Sequence, residues 1–177
     1  MKTLLIILGI TTLISTNVLG QTYETLTAKY KEKPVVEMTL NGQKIWVLLD
    51  TGAEISVLSL KSEDKYGFHA YQNIDEPYHV TGFGSSRNDL HQVAGAKLYF
   101  GDLKLKSTFF AYDISNITSS IKRRTGKTIS AIIGTSLMTK YGFIIDMSEK
   151  TITMKYKMKK SHTPTQPPTE IEVAVAN

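Results

Sequence analysis

Leu48-Leu49-Asp50-Thr51-Gly52-Ala53 decides how this chain is read. Two apolar residues run into an acid, which is followed by a small hydroxyl residue, a glycine and an alanine. At the end of a buried strand, that order holds one carboxylate in a tight turn close to backbone amides. Such a carboxylate activates water once a second acid shares a proton with it. The sequence contains one segment of this kind and no internal repeat, so no duplicated half supplies the second acid.

Working outward, the flanks read as short strands. Pro34 to Leu40 is a strand, Asn41-Gly42 a two-residue hairpin turn, and Gln43 to Leu49 a returning strand apolar enough for burial on both faces. Ile55 to Leu60 is apolar again, and Lys61 to Gly67 fits one or two helical turns. Tyr78 to Phe83 reads as a strand, Gly84 to Asn88 as a polar turn, and Leu90 to Phe100 as a strand with Gly95 a candidate bulge. Gly101-Asp102 turns the chain into a strand over Leu103 to Tyr112, and Asn116 to Lys127 reads as a polar, basic loop. Ile129 to Ile133 is a buried strand, Ser136 to Tyr141 a short helix closed by Gly142, and Phe143 to Asp146 with Thr151 to Tyr156 a last hairpin. Many short strands separated by turns argue for an all-β barrel or sandwich.

The chain has 177 residues, so one domain is the default. It has no cysteine, which excludes a disulfide framework, a cysteine nucleophile and thiolate metal sites. The net charge is +5, much of it from Lys155, Lys157, Lys159 and Lys160 and from Lys122, Arg123, Arg124 and Lys127. Basic residues and aromatics do not interleave as in RNA-binding modules, so the charge reads as a solubilising surface and no nucleic-acid partner is expected.

Residues 1–20 read as a signal peptide. Lys2 is the positive start, Leu4 to Ile14 the apolar stretch, and Val18 and Gly20 the small residues before a cut ahead of Gln21. The stretch is short for a membrane span, which needs about 20 apolar residues. The expectation is export to a periplasmic or secreted location, with membrane attachment only if the segment is not cleaved. Residues 21–33 form a polar lead-in with room for one short strand, 34–158 the domain, and 159–177 a Pro/Thr-rich tail.

Together these residues resemble the retropepsin-like aspartic proteases. Leu48 to Ala53 with Ser56-Val57-Leu58 is similar to their active-site signature. Ala131-Ile132-Ile133-Gly134 is similar to their second signature, and Val80-Thr81-Gly82-Phe83-Gly84 resembles their flap hairpin. The resemblance covers about Pro34 to Tyr156 and matches one retropepsin domain, whereas a two-lobed acid protease would show a repeat. It implies a closed acid protease barrel with one short helix, acting as a homodimer on a peptide or protein substrate without a cofactor or metal.

The resemblance also implies roles. Asp50 from each of two chains forms the catalytic pair. Thr51 bonds across the two-fold, Gly52 admits the substrate backbone, and Ala53 and Glu54 line the cleft. Gly82, Phe83 and Gly84 belong to a flap that closes over substrate. Ile132, Ile133 and Gly134 pack behind the catalytic loop. One position departs from the viral members, which carry an arginine just after the second-motif glycine. Thr135 stands there, so Glu54 lacks that partner.

Other motifs do not hold. Gly126-Lys127-Thr128 imitates the end of a P-loop, but Ile121 occupies the place of its first glycine. Gly134 to Met138 lacks the last glycine of a nucleophile elbow. His69, His79, His91 and His162 have no ligand spacing and read as surface histidines, and Asp146 reads as a hairpin acid. The sequence thus predicts an exported aspartic endopeptidase. The alternative is a peptide-binding or assembly module that keeps the fold without turnover, with a membrane-anchored adaptor as a further variant.

Overall fold

The computed structural model describes residues 23–72, 78–82 and 85–157, with backbone alone at 82 and 85–87. The expected signal peptide, Phe83, Gly84 and the Pro/Thr tail lie outside the described residues.

Strands alternate with tight turns along the chain. In order they are β1 (Tyr23–Lys29), β2 (Val35–Leu40), β3 (Gln43–Leu49), β4 (Val57–Ser59), α1 (Glu63–Tyr66), β5 (His69–Tyr71), β6 (Tyr78–Gly82) and β7 (Ser85–Ala94). There follow β8 (Leu98–Phe100), β9 (Leu103–Leu105), β10 (Phe110–Tyr112), α2 (Ser115–Thr125), β11 (Ile129–Ile133), α3 (Thr135–Tyr141), β12 (Phe143–Asp146) and β13 (Thr151–Lys157). The Asn41-Gly42 turn forms as its residues require, with positive φ at both (48° and 83°). Two expected long strands are broken. Gly95 at φ 78° is a corner between β7 and β8 rather than a bulge, and residues 106–109 separate β9 from β10.

The larger sheet runs β5-β7-β10-β4-β11-β3-β2-β8-β9, with β6 paired to β7, and the smaller runs β1-β13-β12. A closed barrel was expected, but among the described residues the pairing path is open. Its end strands β5 and β9 have three residues each and do not meet. The smaller sheet packs against the same core. Ile152 and Met154, with Leu26, Ala28, Phe143 and Ile145, pack into the same core as Leu40, Leu49, Leu98 and Phe100. The lead-in is part of this arrangement, since all seven residues of β1 pair with β13 from Tyr23↔Lys157 to Lys29↔Thr151.

The helical turn expected within Lys61 to Gly67 is α1 and the expected short helix is α3, and among the described residues there is one further α-helix. The stretch read as a basic loop is α2. Its polar composition hides a narrow apolar stripe of Ile114, Ile117 and Ile121, spaced three and four apart, and Gly126 closes it in a left-handed conformation. This stripe meets Val35, Leu48, Val57, Ile129 and Ile132 in a second cluster. Strand β3 therefore has cover on both faces, with Ile45, Val47 and Leu49 in the main core and Leu48 in the second cluster.

Candidate active site

The position of β11 dictates the geometry of the Asp50 loop. It lies between β3 and β4, parallel to the first (Ile133↔Leu49) and antiparallel to the second (Ile132↔Val57). The link from β3 to β4, residues 50–56, must therefore arch across the end of β11, where the chain turns into α3.

Backbone and hydroxyl groups pin that arch. The Asp50 N–H donates to the Ile133 carbonyl at 2.9 Å, which carries the sheet pairing one residue further. The Ala53 N–H donates to the Asp50 carbonyl at 3.2 Å, and the Gly52 N–H donates to Asp50 Oδ1 at 2.9 Å. The first amides of α3 have no partner within the helix. They are used on the arch: Thr135 N–H on the Ala53 carbonyl (2.8 Å) and Ser136 N–H on the Glu54 carbonyl (3.1 Å). The Thr135 hydroxyl adds a bond to the same Ala53 carbonyl at 3.1 Å. Thr135 thus ties the loop through its N–H and its hydroxyl, both on the Ala53 carbonyl. Glu54 is exposed and has no ion pair among the described residues.

Gly134 is dictated by the same contact. A Cβ there would sit 2.3 Å from the Ile55 carbonyl oxygen and 2.7 Å from Glu54 backbone atoms. Its buried N–H donates to Ser56 Oγ at 3.1 Å. Ser56→Ala is expected to strand that N–H and cost about 1–3 kcal/mol. Thermal denaturation measures it, and an unchanged midpoint would mean that the amide has found another partner.

Asp50 is half-buried and opens into a cleft of about 620 Å³. Gly52, Ala53 and Glu54 share its floor, Ile55, Val57, Ile117 and Ile132 form apolar walls, and His79, Val80 and Thr81 of β6 line the opposite side. The β6–β7 hairpin stands where the flap was expected, with Gly82 opposite Ser85 near its tip. Behind the loop, Ile132 and Ile133 are buried. Thr51 is exposed and lines a separate depression of about 510 Å³ with Thr135, Met138, Thr139, Gly142, Phe143 and Ile145. Asp146 is the expected hairpin acid, accepting the Ser148 and Glu149 N–H groups at 2.9 and 2.8 Å, and those bonds hold its carboxyl below the usual range.

Two cleft residues were not expected. His79 is exposed, as a surface histidine should be, but it also lines the cleft and pairs with Asp89 across the hairpin at 2.6 Å. The hairpin register, which puts 79 opposite 89, carried that signal. Ile117 reaches the cleft from α2, and its spacing from Ile121 was the available clue.

Asp113 anchors the start of α2, and so the wall that carries Ile117. Its carboxylate accepts the Ser115 hydroxyl, the Lys61 ammonium (2.9 Å) and the Ser115 N–H (3.0 Å). These hold its pKa down to about 2 from 3.8. A depressed folded pKa stabilises fully above the unfolded value and is lost as pH falls through the folded one. The anchor is therefore intact at mildly acidic pH and released as pH falls from 3.8 toward 2. The side chain is 46 % exposed, so the stabilisation is small. Carboxyl NMR titration is expected to give a midpoint near 2, moving up toward 3.8 in Ser115→Ala. A native midpoint already near 3.8 would remove the anchor.

The open sheet, the arch over β11 and the hairpin facing Asp50 define a retropepsin-like unit. Its fold is similar to a retropepsin-like aspartic protease from Rickettsia conorii, at TM-score 0.50 and 15% identity, covering 79% of this chain and 97% of that one. A retroviral protease-like domain of Ddi1 from Leishmania major gives TM-score 0.46 and 12% identity over 73% and 97%. No curated protein sequence matches the chain. The aspartyl protease family matches residues 36–137, and the chain belongs to that family.

Proposed function

We propose that this protein is an aspartic endopeptidase whose working unit is two copies of the chain, each supplying Asp50. The observation that carries this reading is the setting of Asp50: one half-buried carboxylate, fixed by the arch, in a cleft faced by a hairpin. Among the described residues no second acid hydrogen-bonds to it. An isologous pair brings the same residue opposite itself.

Two carboxylates that close cannot both ionise, so they share one proton. The ionised one takes a proton from a water as its oxygen attacks the scissile carbonyl carbon. The protonated one gives its proton to the carbonyl oxygen. Thr51, exposed beside Asp50, bonds across the two-fold. Gly52, Ala53 and Glu54 meet an extended substrate on the floor, and Gly82, Phe83 and Gly84 belong to the hairpin that closes over it. The apolar walls from Val57, Ile117 and Ile132 suit an apolar side chain next to the scissile bond. No cofactor enters these steps. The N-terminal segment directs export and is removed before Gln21.

The test is cleavage of a mixed peptide library by residues 21–177 from about pH 4 to 7. A pair that shares a proton titrates as a unit, so a bell-shaped profile on the acid side is expected. Peptide binding without cleavage at any pH would favour the non-catalytic module.

A further inference from the structure

We infer that a second cavity, beside the first turns of α2, binds a small phosphate ester of a polyol, the chemistry of a sugar phosphate. This goes beyond the protease reading and does not depend on it. The cavity measures about 490 Å³, within the size range of small-molecule sites. Residues of β3, of the turn after β4, of α2 and of the start of β11 line it. Helix α2 serves both sites: Ile117 lines the cleft that holds Asp50, and Thr118 lines this cavity.

Charge selects the phosphoryl group. Lys44, Lys61 and Lys65 line the cavity, and among the described residues no acid does. Lys44 and Lys61 pair with Glu37 and Asp113 at 2.8 and 2.9 Å, but both pairs are exposed, and such pairs are weak enough to share a lysine with a ligand. Lys65 has no acidic partner among the described residues. Neither has Lys127, whose ammonium lies 3.9 Å from the ring centroid of Trp46, a residue of the lining. Four lysines against two carboxylates suit a ligand with two negative charges.

Hydroxyls select the polyol. Seven serines and threonines contribute to the lining, and each hydroxyl can both donate and accept. An apolar ligand would leave them unmatched, whereas a sugar offers the same kind of group in return. Two of the seven are buried: Ser59 at 8 % exposure and Ser130 at 7 %. Ser130 shares a hydrogen bond with the Tyr66 hydroxyl at 3.2 Å. The Ser59 hydroxyl does not cap the turn that follows it and has no partner among the described residues. Ser59 lies on the same face of β4 as Val57, the face packed by α2. A buried hydroxyl is costly to leave unpaired, and a ligand hydroxyl in this cavity pairs it.

The experiment titrates residues 21–177 with glucose 6-phosphate, inorganic phosphate and glucose, read by calorimetry and by amide NMR. Glucose 6-phosphate is expected to bind with a dissociation constant below about 1 mM, and about tenfold tighter than either of the other two. The shifted amides should be those of Ser59, Ser115, Thr118 and Ser130. Lys65→Gln is expected to weaken binding about tenfold, through loss of one charge-assisted contact, and Lys65→Arg to restore most of it. Lys104→Gln, at an exposed lysine of β9 away from the cavity, is expected to change nothing. Lys65 is itself exposed, so all three variants should melt with the native chain. No saturable shift below about 10 mM would overturn the site. So would equal affinity for the ester and for inorganic phosphate, a Lys65→Gln variant no weaker than Lys104→Gln, or shifts centred on Lys122, Arg123 and Arg124. Asp50→Asn is expected to bind glucose 6-phosphate as the native chain does, so this site and the protease stand or fall separately.

Discussion

Asp50→Asn is expected to lower peptide cleavage by about 10³-fold, within the range that acid–base groups contribute. The substitution keeps the size and shape of the side chain. The amide oxygen can still accept the Gly52 N–H, and the other bonds that hold the arch come from backbone, Thr135 and Ser56. Folding should therefore survive, with the melting temperature nearly unchanged. The change removes the shared proton, because an amide neither takes a proton from water nor passes one to a carbonyl at these pH values. In a homodimer both carboxylates are lost at once. Substrate binding, which rests on backbone and apolar walls, should persist. Steady-state cleavage beside peptide binding by calorimetry separates the two effects. Cleavage retained by the variant would place the chemistry elsewhere. A parallel loss of binding and folding would show Asp50 to be a structural turn residue.

The site was legible because its constraints are local. An acid at a strand end, a glycine after it and a glycine ahead of a helix each record a short-range demand, met by the Asp50 turn and by the crossing of Gly134 beneath Ile55. The strands were legible where two residues force positive φ, as at Asn41-Gly42. What failed was less local. Helix α2 shows three isoleucines in a polar run, and only the facing strands make that stripe worth burying. The open sheet follows from a decision made at a distance, in which β1 and β13 form a separate sheet that packs on the same core. Corners at Gly95 and at residues 106–109 broke strands whose apolar pattern continued through them. His79 looked isolated because its partner Asp89 is ten residues away in sequence and directly opposite across a hairpin.

Gly134→Ala is expected to reduce both stability and activity, with a pattern no ordinary glycine substitution shows. The backbone there is extended (φ −91°, ψ 173°), a conformation alanine adopts freely. Conformational preference alone would make alanine mildly stabilising. Sterics decide the sign instead, because the added methyl would lie 2.3 Å from the Ile55 carbonyl oxygen and 2.7 Å from Glu54 backbone atoms. These are main-chain atoms, the Glu54 carbonyl is held against the start of α3 by the Ser136 N–H, and no rotamer change relieves the overlap. The arch must retreat, at a cost of about 1–3 kcal/mol for an overpacked site. That movement carries Asp50 with it, since the arch begins at that residue. A displacement of about 1 Å at a reacting group costs about 100-fold in rate. Gly67→Ala is the control. Gly67 sits at φ 63° with open space where a Cβ would go, so alanine there costs about 1–2 kcal/mol through backbone strain and leaves the cleft untouched. Equal destabilisation with a large rate loss only at 134 would identify the crossing beneath the catalytic loop as the element that sets Asp50. Equal rates in the two variants would mean that the arch yields without moving its carboxylate.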